Sequence, residues 1–246
     1  MAFLFQGLLA TTLTILTQIG GLCWLAALPF RHRISVFLGL YVAASLATVW
    51  IAPLTGRMLV GCGNDGPLRS ASWVYCALNR SYATPEMVAV LDALAIEMDT
   101  RFPGTVTLSL DASFPFFDGF PLIPHLSHSD GRQADLASYY NSPDGYAPGL
   151  LRSPLGYFAF QRGPTDCPPR HLTLRWDLAW LQPLSPDHNL DGPRMIAALN
   201  ILAADPRIDR VFVEPHIQES LGVSAPKLRF QGCRAARHDD HMHLQL

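Results

Sequence analysis

The sequence predicts an α+β protein in which two membrane-spanning helices precede one extracytoplasmic domain. Three observations lead to this prediction. The first 55 residues are almost entirely apolar, the rest has the composition of a globular domain, and helical and strand patterns in that domain rarely alternate as βαβ units. We expect a membrane anchor at residues 1–55, a linker at 56–83, and a folded domain with a central antiparallel sheet at 84–246.

Two long uncharged runs form the predicted anchor. Residues 2–29 and residues 34–54 contain no charged side chain. A helix needs about 20 apolar residues to cross a bilayer, so each run is long enough. A cleaved signal peptide is the alternative for the first run, but signal peptides have a basic start and a shorter apolar core. We therefore expect two transmembrane helices joined by a tight loop.

The loop between the two runs predicts the orientation. It contains Arg31 and Arg33, the only charged residues among the first 55. Cytoplasmic loops carry an excess of Lys and Arg, so we expect this loop in the cytoplasm and both chain ends outside. Arg57, just after the second run, is a positive charge at the opposite end of that run and favours the reverse orientation. The expected location is the bacterial inner membrane, with the domain facing the periplasm.

The charge balance of the chain argues against a nucleic-acid partner. Lys and Arg number 18, Asp and Glu number 20, and the formal net charge is −2. Domains that bind nucleic acids carry a basic face and a high isoelectric point. We expect no nucleic-acid binding.

Cysteine usage agrees with an extracytoplasmic domain. Cys23 lies in the first apolar run, and the other four are Cys62, Cys76, Cys167 and Cys233. An even number of cysteines in an oxidising compartment favours two disulfides, for which three pairings are possible. We favour Cys62–Cys76, which closes a short local loop, together with Cys167–Cys233.

The domain is predicted to contain two main helices and several strands. The first helix starts with Thr84 as its cap and Pro85 in its first turn, and it ends near Arg101. A second helix is predicted after Asp191 from the helical spacing of its apolar residues. Apolar alternation or apolar content predicts strands at residues 106–110, 133–140, 156–161, 172–181, 210–213 and 241–246.

Two groups of histidines suggest a metal site. His125 and His128 lie just ahead of Asp135, and His241 and His243 lie in the last predicted strand. Alternate residues of a strand point to the same face, so His241 and His243 are expected side by side. Imidazole and carboxylate are ordinary zinc ligands, and the edges of two strands can bring them to one ion. Chance clustering of histidines is the alternative.

Both groups resemble motifs of a known family. Residues 128–135 fit the pattern His-x-x-Gly-x-x-x-Asp, with Gly131 at its glycine, and residues 241–243 fit His-x-His. These patterns are similar to those of the zinc peptidases of the lysostaphin, D-Ala-D-Ala peptidase and hedgehog group. The resemblance is greatest to penicillin-insensitive murein endopeptidase, in which a helix and a strand like the one ending at Val213-Glu214-Pro215 precede the second motif. It covers about residues 120–246.

The resemblance implies a function and a set of site residues. His128, Asp135 and His243 would bind Zn²⁺, and His241 would be the catalytic histidine beside the ion. Three protein ligands leave the fourth position of zinc open for water, as a catalytic site requires. The implied substrates are peptidoglycan peptides. By the same resemblance His125 would belong to a second metal site. The positions of the other two residues allow two interpretations each: His238 would orient its neighbours or be a solvated terminal histidine, and Asp239 would hold the His241 tautomer or form part of a turn.

The sequence also departs from the family pattern. The Asp-x-x-His pair that completes a second metal site in the murein endopeptidase is missing, and Asp187 with His188 is only a loose substitute. Glu214 stands where the endopeptidase has Asn, and the insertion at residues 141–170 is expected to reshape the substrate groove. Two alternatives to the endopeptidase remain: a non-catalytic zinc module that binds a peptide or an envelope partner, and a carboxypeptidase that releases D-Ala.

Overall fold

The computed structural model of the protein describes residues 2–165, 167–168, 173–175 and 178–246, and within them the chain is α+β. The helices are α1 (Ala2–Thr17), α2 (Gly20–Ala27), α3 (Arg33–Ile51), α4 (Trp73–Ala77), α5 (Pro85–Arg101), α6 (Gly192–Ala204) and α7 (Pro215–Leu221). The strands are β1 (Met58–Leu59), β2 (Leu68–Ser70), β3 (Tyr82–Ala83), β4 (Thr107–Ser109), β5 (Gln133–Ala137), β6 (Tyr140–Ser142), β7 (Gly145–Tyr146), β8 (Asn189–Leu190), β9 (Arg210–Phe212), β10 (Leu228–Arg229) and β11 (His241–Gln245).

A six-stranded mixed sheet forms the centre of the domain, in the order β10-β9-β11-β5-β4-β2. Its four inner strands are antiparallel neighbours, whereas β10 and β2 at the two edges run parallel to β9 and β4. Parallel neighbours need a crossover connection, which α7 provides between β9 and β10, and α4 with α5 between β2 and β4. The expected central antiparallel sheet is therefore corrected to a mixed sheet with antiparallel inner strands.

Both predicted domain helices are present and pack on this sheet. The Thr84 hydroxyl caps α5 by accepting the Met87 N–H, and the Asp191 carboxylate caps α6 by accepting the Arg194 N–H. The apolar faces of the two helices share one core with inner strands β5 and β11. The core so formed includes Met87, Leu91, Leu94, Met98, Met195, Leu199, Leu202, Leu136, Met242 and Leu244.

Three strand predictions need correction. Residues 156–161 form a loop, because the Phe158 N–H donates to the Asp240 side chain and its carbonyl accepts from Gln182, so these groups do not pair with a strand. Part of residues 172–181 lies outside the described residues, and the described Ala179–Leu184 is a 3-10 helix. The predicted strand 133–140 ends at Ala137, and the chain then joins a separate small sheet through β6.

The first apolar run is two helices instead of one. Gln18, with φ 66°, interrupts the run, and α2 then returns along α1. The Trp24 Nε1–H donates to Gln6 Oε1 at 3.0 Å, and Gly21 lies directly against α1. The glycine lacks the side chain that would hold two helices apart, so a close helical hairpin forms.

Among the described residues, one helix is long and apolar enough to cross a membrane. It covers Arg33–Thr55, which comprises α3 and the following 3-10 turn Ala52–Thr55. The first run does not supply the second predicted span, since α1 has 16 residues and a span needs about 20. The prediction that both chain ends lie outside required two spans, and the described residues provide one.

The segment predicted as a linker, residues 56–83, folds onto the domain. It contributes β1, β2, α4 and β3, and β2 extends the central sheet. A disulfide between Cys62 and Cys76 closes this segment, and a second joins Cys167 to Cys233. Both favoured pairings are confirmed, and Cys23 is a free buried thiol.

Candidate metal centre

Strands β5 and β11 bring two of the predicted ligands together. The two strands pair antiparallel with His243 directly opposite Asp135. Both are inner strands, so these side chains are buried at 3% and 0% exposure. The Nδ1 atom of His243 lies 2.8 Å from Oδ1 of Asp135. The register of β5 and β11 therefore places the imidazole of His243 beside the carboxylate of Asp135.

His128 reaches the same point from the turn before β5. Gly131 lies in this turn with φ 73°, and a Cβ atom there would be 2.5 Å from Nε of the Arg57 side chain, so glycine is required. His128 Nε2 is 3.3 Å from Asp135 Oδ1 and 3.1 Å from His243 Nδ1. The turn thus completes a group of three potential ligands.

The three atoms match the donor set and the spacing of a zinc site. Ligands that bind zinc at about 2.0–2.1 Å in a tetrahedral arrangement are about 3.3 Å apart. The separations here lie between 2.8 and 3.3 Å, so a small outward shift would admit an ion. Within the described part of the chain, His128, Asp135 and His243 are the one group of three such side chains close enough to share an ion.

Hydrogen bonds behind the histidines select the nitrogen that faces the centre. The Nδ1–H of His128 donates to the Ala112 carbonyl at 2.7 Å, which leaves the Nε2 lone pair for a metal. On His243 the outward nitrogen is Nε2, 3.0 Å from the side-chain amide of Gln245. In the structure the amide nitrogen of Gln245 faces Nε2 and donates to it. Metal binding through Nδ1 would require a proton on Nε2, which the oxygen of this amide would accept after rotation of the amide by 180°.

Tyr157 fixes the orientation of Asp135. Its hydroxyl donates to Asp135 Oδ2 at 2.6 Å and accepts the backbone N–H of Asp111 at 3.1 Å. Burial raises the pKa of Tyr157 well above its ordinary value, so the hydroxyl keeps its proton. One oxygen of Asp135 is therefore bonded to the protein, and the other faces the two histidines.

His241 lies beside the three ligand candidates and is held by Asp240. Its Nδ1–H donates to Asp240 Oδ1, and its Nε2 is 3.8 Å from Asp135 Oδ2. The second oxygen of Asp240 accepts the Phe158 N–H at 2.6 Å, so this carboxylate is fixed from both sides. The geometry leaves Nε2 of His241 as the nitrogen available for proton exchange.

Asp239 does not bond His241, whereas the ring of His238 lies beside that of His241. Asp239 precedes the start of β11, so strand alternation does not bring it to His241, and it bonds Arg237 at 3.0 Å instead. The ring of His238 lies 4.9 Å from that of His241 and 5.5 Å from that of His243. Burial lowers the pKa of His238 well below its ordinary value, so it packs there as a neutral ring.

His125 belongs to a chain of polar and charged side chains behind the centre. Its Nδ1 is 2.8 Å from Asp111 Oδ2 and 3.7 Å from Asp135 Oδ2. Asp111 also receives two hydrogen bonds from the Arg80 guanidinium, at 2.6 and 2.7 Å. The Arg80 guanidinium thus supplies the positive charge beside the Asp111 carboxylate. Among the described residues, no group of three ligand-type side chains that includes His125 lies close enough together to share an ion.

The electrostatics of the centre favour the metal-binding forms of two ligands. Burial raises the pKa of Asp135, but the positive charges of His128 and His241 outweigh burial and hold this pKa well below its usual range. Burial lowers the pKa of His243 to about 4. For His128 and His241 burial is outweighed by nearby carboxylates: the pKa of His128 is raised, and that of His241 is about 9. Asp135 is therefore ionised and His243 neutral.

The centre opens into a cleft of about 140 Å³. Phe158 is part of its wall and has φ 64°, a left-handed conformation that bulky residues rarely adopt and that often occurs at functional sites. The insertion at residues 141–170 contributes Tyr157, Phe158 and Phe160 to the wall. The other lining residues include Pro124, Leu126, Leu174, Gln231, Ala235, His238, and the histidines His125, His128, His241 and His243.

Comparison with protein-family models and with curated proteins gives no match for this chain. The resemblance to the zinc peptidases therefore stays a prediction from the two sequence motifs and the order of elements around them.

Proposed function

We propose that the protein is a membrane-anchored zinc metallopeptidase that hydrolyses peptide bonds of bacterial peptidoglycan, as a cross-link endopeptidase. The observation that carries the proposal is the convergence of His128, Asp135 and His243, with His241 beside them on the wall of a cleft. The substrate class comes from the resemblance of these residues to the murein endopeptidase motifs.

His128, Asp135 and His243 are the residues that would hold the ion. Two neutral imidazoles and one carboxylate leave a divalent ion with a net positive charge and an open coordination position. When bound, Zn²⁺ would supply Lewis acidity toward a peptide carbonyl and would lower the pKa of a water molecule. The Tyr157 hydroxyl keeps the Asp135 carboxylate in the required orientation.

His241 is the residue that would move the proton. Because Asp240 holds Nδ1, the ring presents Nε2 toward the centre. With the pKa of His241 at about 9, its Nε2–H can donate a hydrogen bond to the developing oxyanion. The charge of a bound divalent ion would lower this pKa and allow Nε2 to take a proton from water. The Phe158 N–H holds Asp240 in place. The Phe158 and Phe160 side chains make the adjoining wall apolar, and an apolar wall strengthens electrostatic interactions beside it.

The location is supported by two features outside the site. Two disulfides favour an oxidising compartment, because reducing cytoplasm keeps thiols free. The apolar helix Arg33–Thr55 is long enough to anchor the chain, and Arg33 at its start favours the cytoplasmic side for that end. The domain would then face the periplasm from the inner membrane.

The experiment uses the full chain in detergent, incubated with cross-linked peptidoglycan, and identifies the released fragments by mass spectrometry. We expect loss of cross-linked dimers, which stops with a chelator and returns with zinc. His241→Ala should abolish this loss, whereas His188→Ala, a histidine outside the centre, should retain it. Intact dimers in the presence of folded, zinc-loaded protein would contradict catalysis and favour a binding module. Release of D-Ala alone would contradict the endopeptidase and favour the carboxypeptidase.

A further inference from the structure

A second pocket adjoins the cleft of the metal centre. Its volume is about 690 Å³, against about 140 Å³ for the cleft. Phe160 and Arg237 line both spaces, and the Arg237 guanidinium lies 4.1 Å from the centroid of the Phe160 ring. This stacked pair therefore stands between the cleft and the second pocket. The polar residues that line the second pocket include Arg152, Gln161, Arg162, Gln182 and Asp187.

The charged groups of the second pocket leave an excess of positive charge. Among the described residues, its ionisable side chains are Arg152, Arg162, Arg237 and Asp187. Arg237 also bonds the buried carboxylate of Asp239 at 3.0 Å. Arg152 and Arg162 both bond Asp187, each with an Nη2 atom 3.0 Å from a different carboxylate oxygen. Two guanidiniums thus share one carboxylate, and this excess of charge suits an acidic ligand.

Arg162 and Gln161 have hydrogen-bond donors to spare. The Arg162 side chain is 87% exposed, and within the described ranges the ion pair with Asp187 is the one polar contact of its guanidinium, which carries five N–H donors. Gln161 Nε2 is buried and has no hydrogen-bond partner among the same residues. A buried donor without a protein partner is costly, so the amide favours a ligand oxygen beside Arg162.

The segment that carries these donors is fixed to the fold. The Gln161 N–H donates to the backbone carbonyl of Asp239 at 3.1 Å. Gly163 packs against the buried ring of His216, where an added Cβ atom would lie 2.1 Å from the imidazole. Donors on a fixed segment are already in position, which reduces the cost of ordering them when a ligand binds.

The second pocket and the metal centre also share a side chain that holds their common wall. Gln182 Oε1 accepts the Phe160 N–H at 3.0 Å, and its Nε2 donates to the Phe158 carbonyl. The Phe158 N–H in turn bonds Asp240, the partner of His241. The second pocket is therefore continuous with the wall of the cleft and is part of the surface that a long ligand would cover.

We propose that the second pocket binds a carboxylate of the peptide substrate, through the Arg162 guanidinium with the Gln161 amide beside it. Guanidinium groups bind carboxylates through paired N–H donors. An extended peptide advances about 3.3 Å per residue, so a peptide at the metal centre passes the Phe160–Arg237 pair within a few residues. The inference rests on the proposed peptidase function, and it makes acidic peptides the preferred substrates.

The experiment measures peptide binding to the zinc-loaded full chain in detergent, in a His241→Ala background so that the peptide stays intact. The probe is a cross-linked stem peptide from the wall with a neutral fluorescent label, and its carboxylates are either free or converted to primary amides. Fluorescence anisotropy gives the Kd of each form. Arg162→Gln removes the charge of the pocket, and Asp187→Asn removes the internal carboxylate that competes for it. Arg101→Gln is the matched control, because Arg101 pairs with Glu97 on α5.

We expect the free-carboxylate form to bind about tenfold more tightly than the amide form, since hydrogen bonds to charged groups are the strong ones. Arg162→Gln should abolish this preference, Asp187→Asn should increase it, and Arg101→Gln should leave it as it is. An unchanged preference in Arg162→Gln would overturn the inference, while cleavage of wall dimers by the wild type would leave the proposed function intact. Absence of binding of both forms would contradict wall peptides as the ligand and would overturn both proposals.

Discussion

The Tyr157 hydroxyl donates a 2.6 Å hydrogen bond to Oδ2 of Asp135, which leaves Oδ1 as the oxygen nearest to both His128 and His243. Groups that orient metal ligands contribute to affinity without touching the ion. Tyr157 lies in the inserted segment that lines the cleft, so this hydrogen bond makes the zinc affinity of the centre depend on that segment.

Tyr157→Phe should weaken zinc binding by about 10–100-fold, because the ring still packs while Oδ2 loses its donor. Competition with a chelating dye gives the dissociation constant. Tyr139→Phe is the matched control, since its hydroxyl is also buried but bonds Thr107 at 2.8 Å, away from Asp135. Equal zinc affinity in Tyr157→Phe and wild type would show that Asp135 needs no such support.

His241→Ala should keep zinc and lower kcat by about 10²–10⁴-fold, since a positioned acid or base contributes about that much. Asp240→Asn should give a smaller loss, because the imidazole remains but its Nδ1–H loses a charged acceptor. Metal content and turnover are measured on the same samples. If His241→Ala retained full turnover, another residue would have to move the proton.

Removal of the Cys167–Cys233 bridge should destabilise the domain and the cleft together. The bridged residues are 66 positions apart, and a bridge of that span contributes about 4 kcal/mol to the free energy of unfolding. Cys233 lies between Gln231 and Ala235, both in the cleft wall. The double variant Cys167→Ser with Cys233→Ser is therefore expected to lose turnover as well as stability, measured by chemical unfolding and kcat.

The Cys62–Cys76 bridge is the control for that experiment. It spans 14 positions and contributes about 3 kcal/mol on the same reasoning, and neither cysteine lines the cleft. Its double serine variant should lose stability while the folded fraction keeps its turnover. Equal turnover losses in the two variants would mean that the longer bridge has no particular effect on the cleft.

Acid should destabilise the domain in part through His216. Burial lowers the pKa of this histidine, and its ring packs against Gly163. An unfolded histidine takes up a proton below about pH 6.5, which the folded state resists. His216 therefore does not lower the free energy of unfolding above that pH. As the pH falls below it, protonation of the unfolded chain lowers the free energy of unfolding.

His216→Phe keeps a ring in this position and removes the titrating group. We expect a smaller decrease in the unfolding free energy of the variant than of wild type between about pH 7.5 and about pH 5.5. Urea unfolding in the presence of chelator measures it. An unchanged pH dependence would exclude His216 as a source of acid sensitivity.

The ligand geometry follows from features that the sequence displays. Strand alternation in β11, a glycine in the turn before β5, and the antiparallel pairing of these strands bring His128, Asp135 and His243 together. The caps and apolar spacing of α5 and α6 are likewise local, so both helices were predictable. Asp240 directly precedes His241 in the sequence, so a contact between them could have been considered. Asp240 lies in the turn before β11, however, and the alternation of side chains along a strand does not predict where a turn residue points.

The remaining groups depend on contacts between distant parts of the chain. Tyr157 is 22 residues from Asp135, and Arg80 is 31 from Asp111. No periodicity or short motif joins such pairs. The reversal at Gln18 was also unpredictable, because an apolar run has the same composition whether it forms one helix or two. The segment at residues 56–83 resembles a linker in composition yet adds a strand to the sheet.

The most direct measurement is X-ray absorption of the zinc-loaded full chain, with zinc content determined for wild type, His128→Ala, Asp135→Ala, His243→Ala and the control His188→Ala. We expect one zinc per chain, bound by nitrogen and oxygen at about 2.0–2.1 Å, and its loss in the three ligand variants alone. Sulfur in the coordination sphere, or a full zinc content in His243→Ala, would contradict the metal centre.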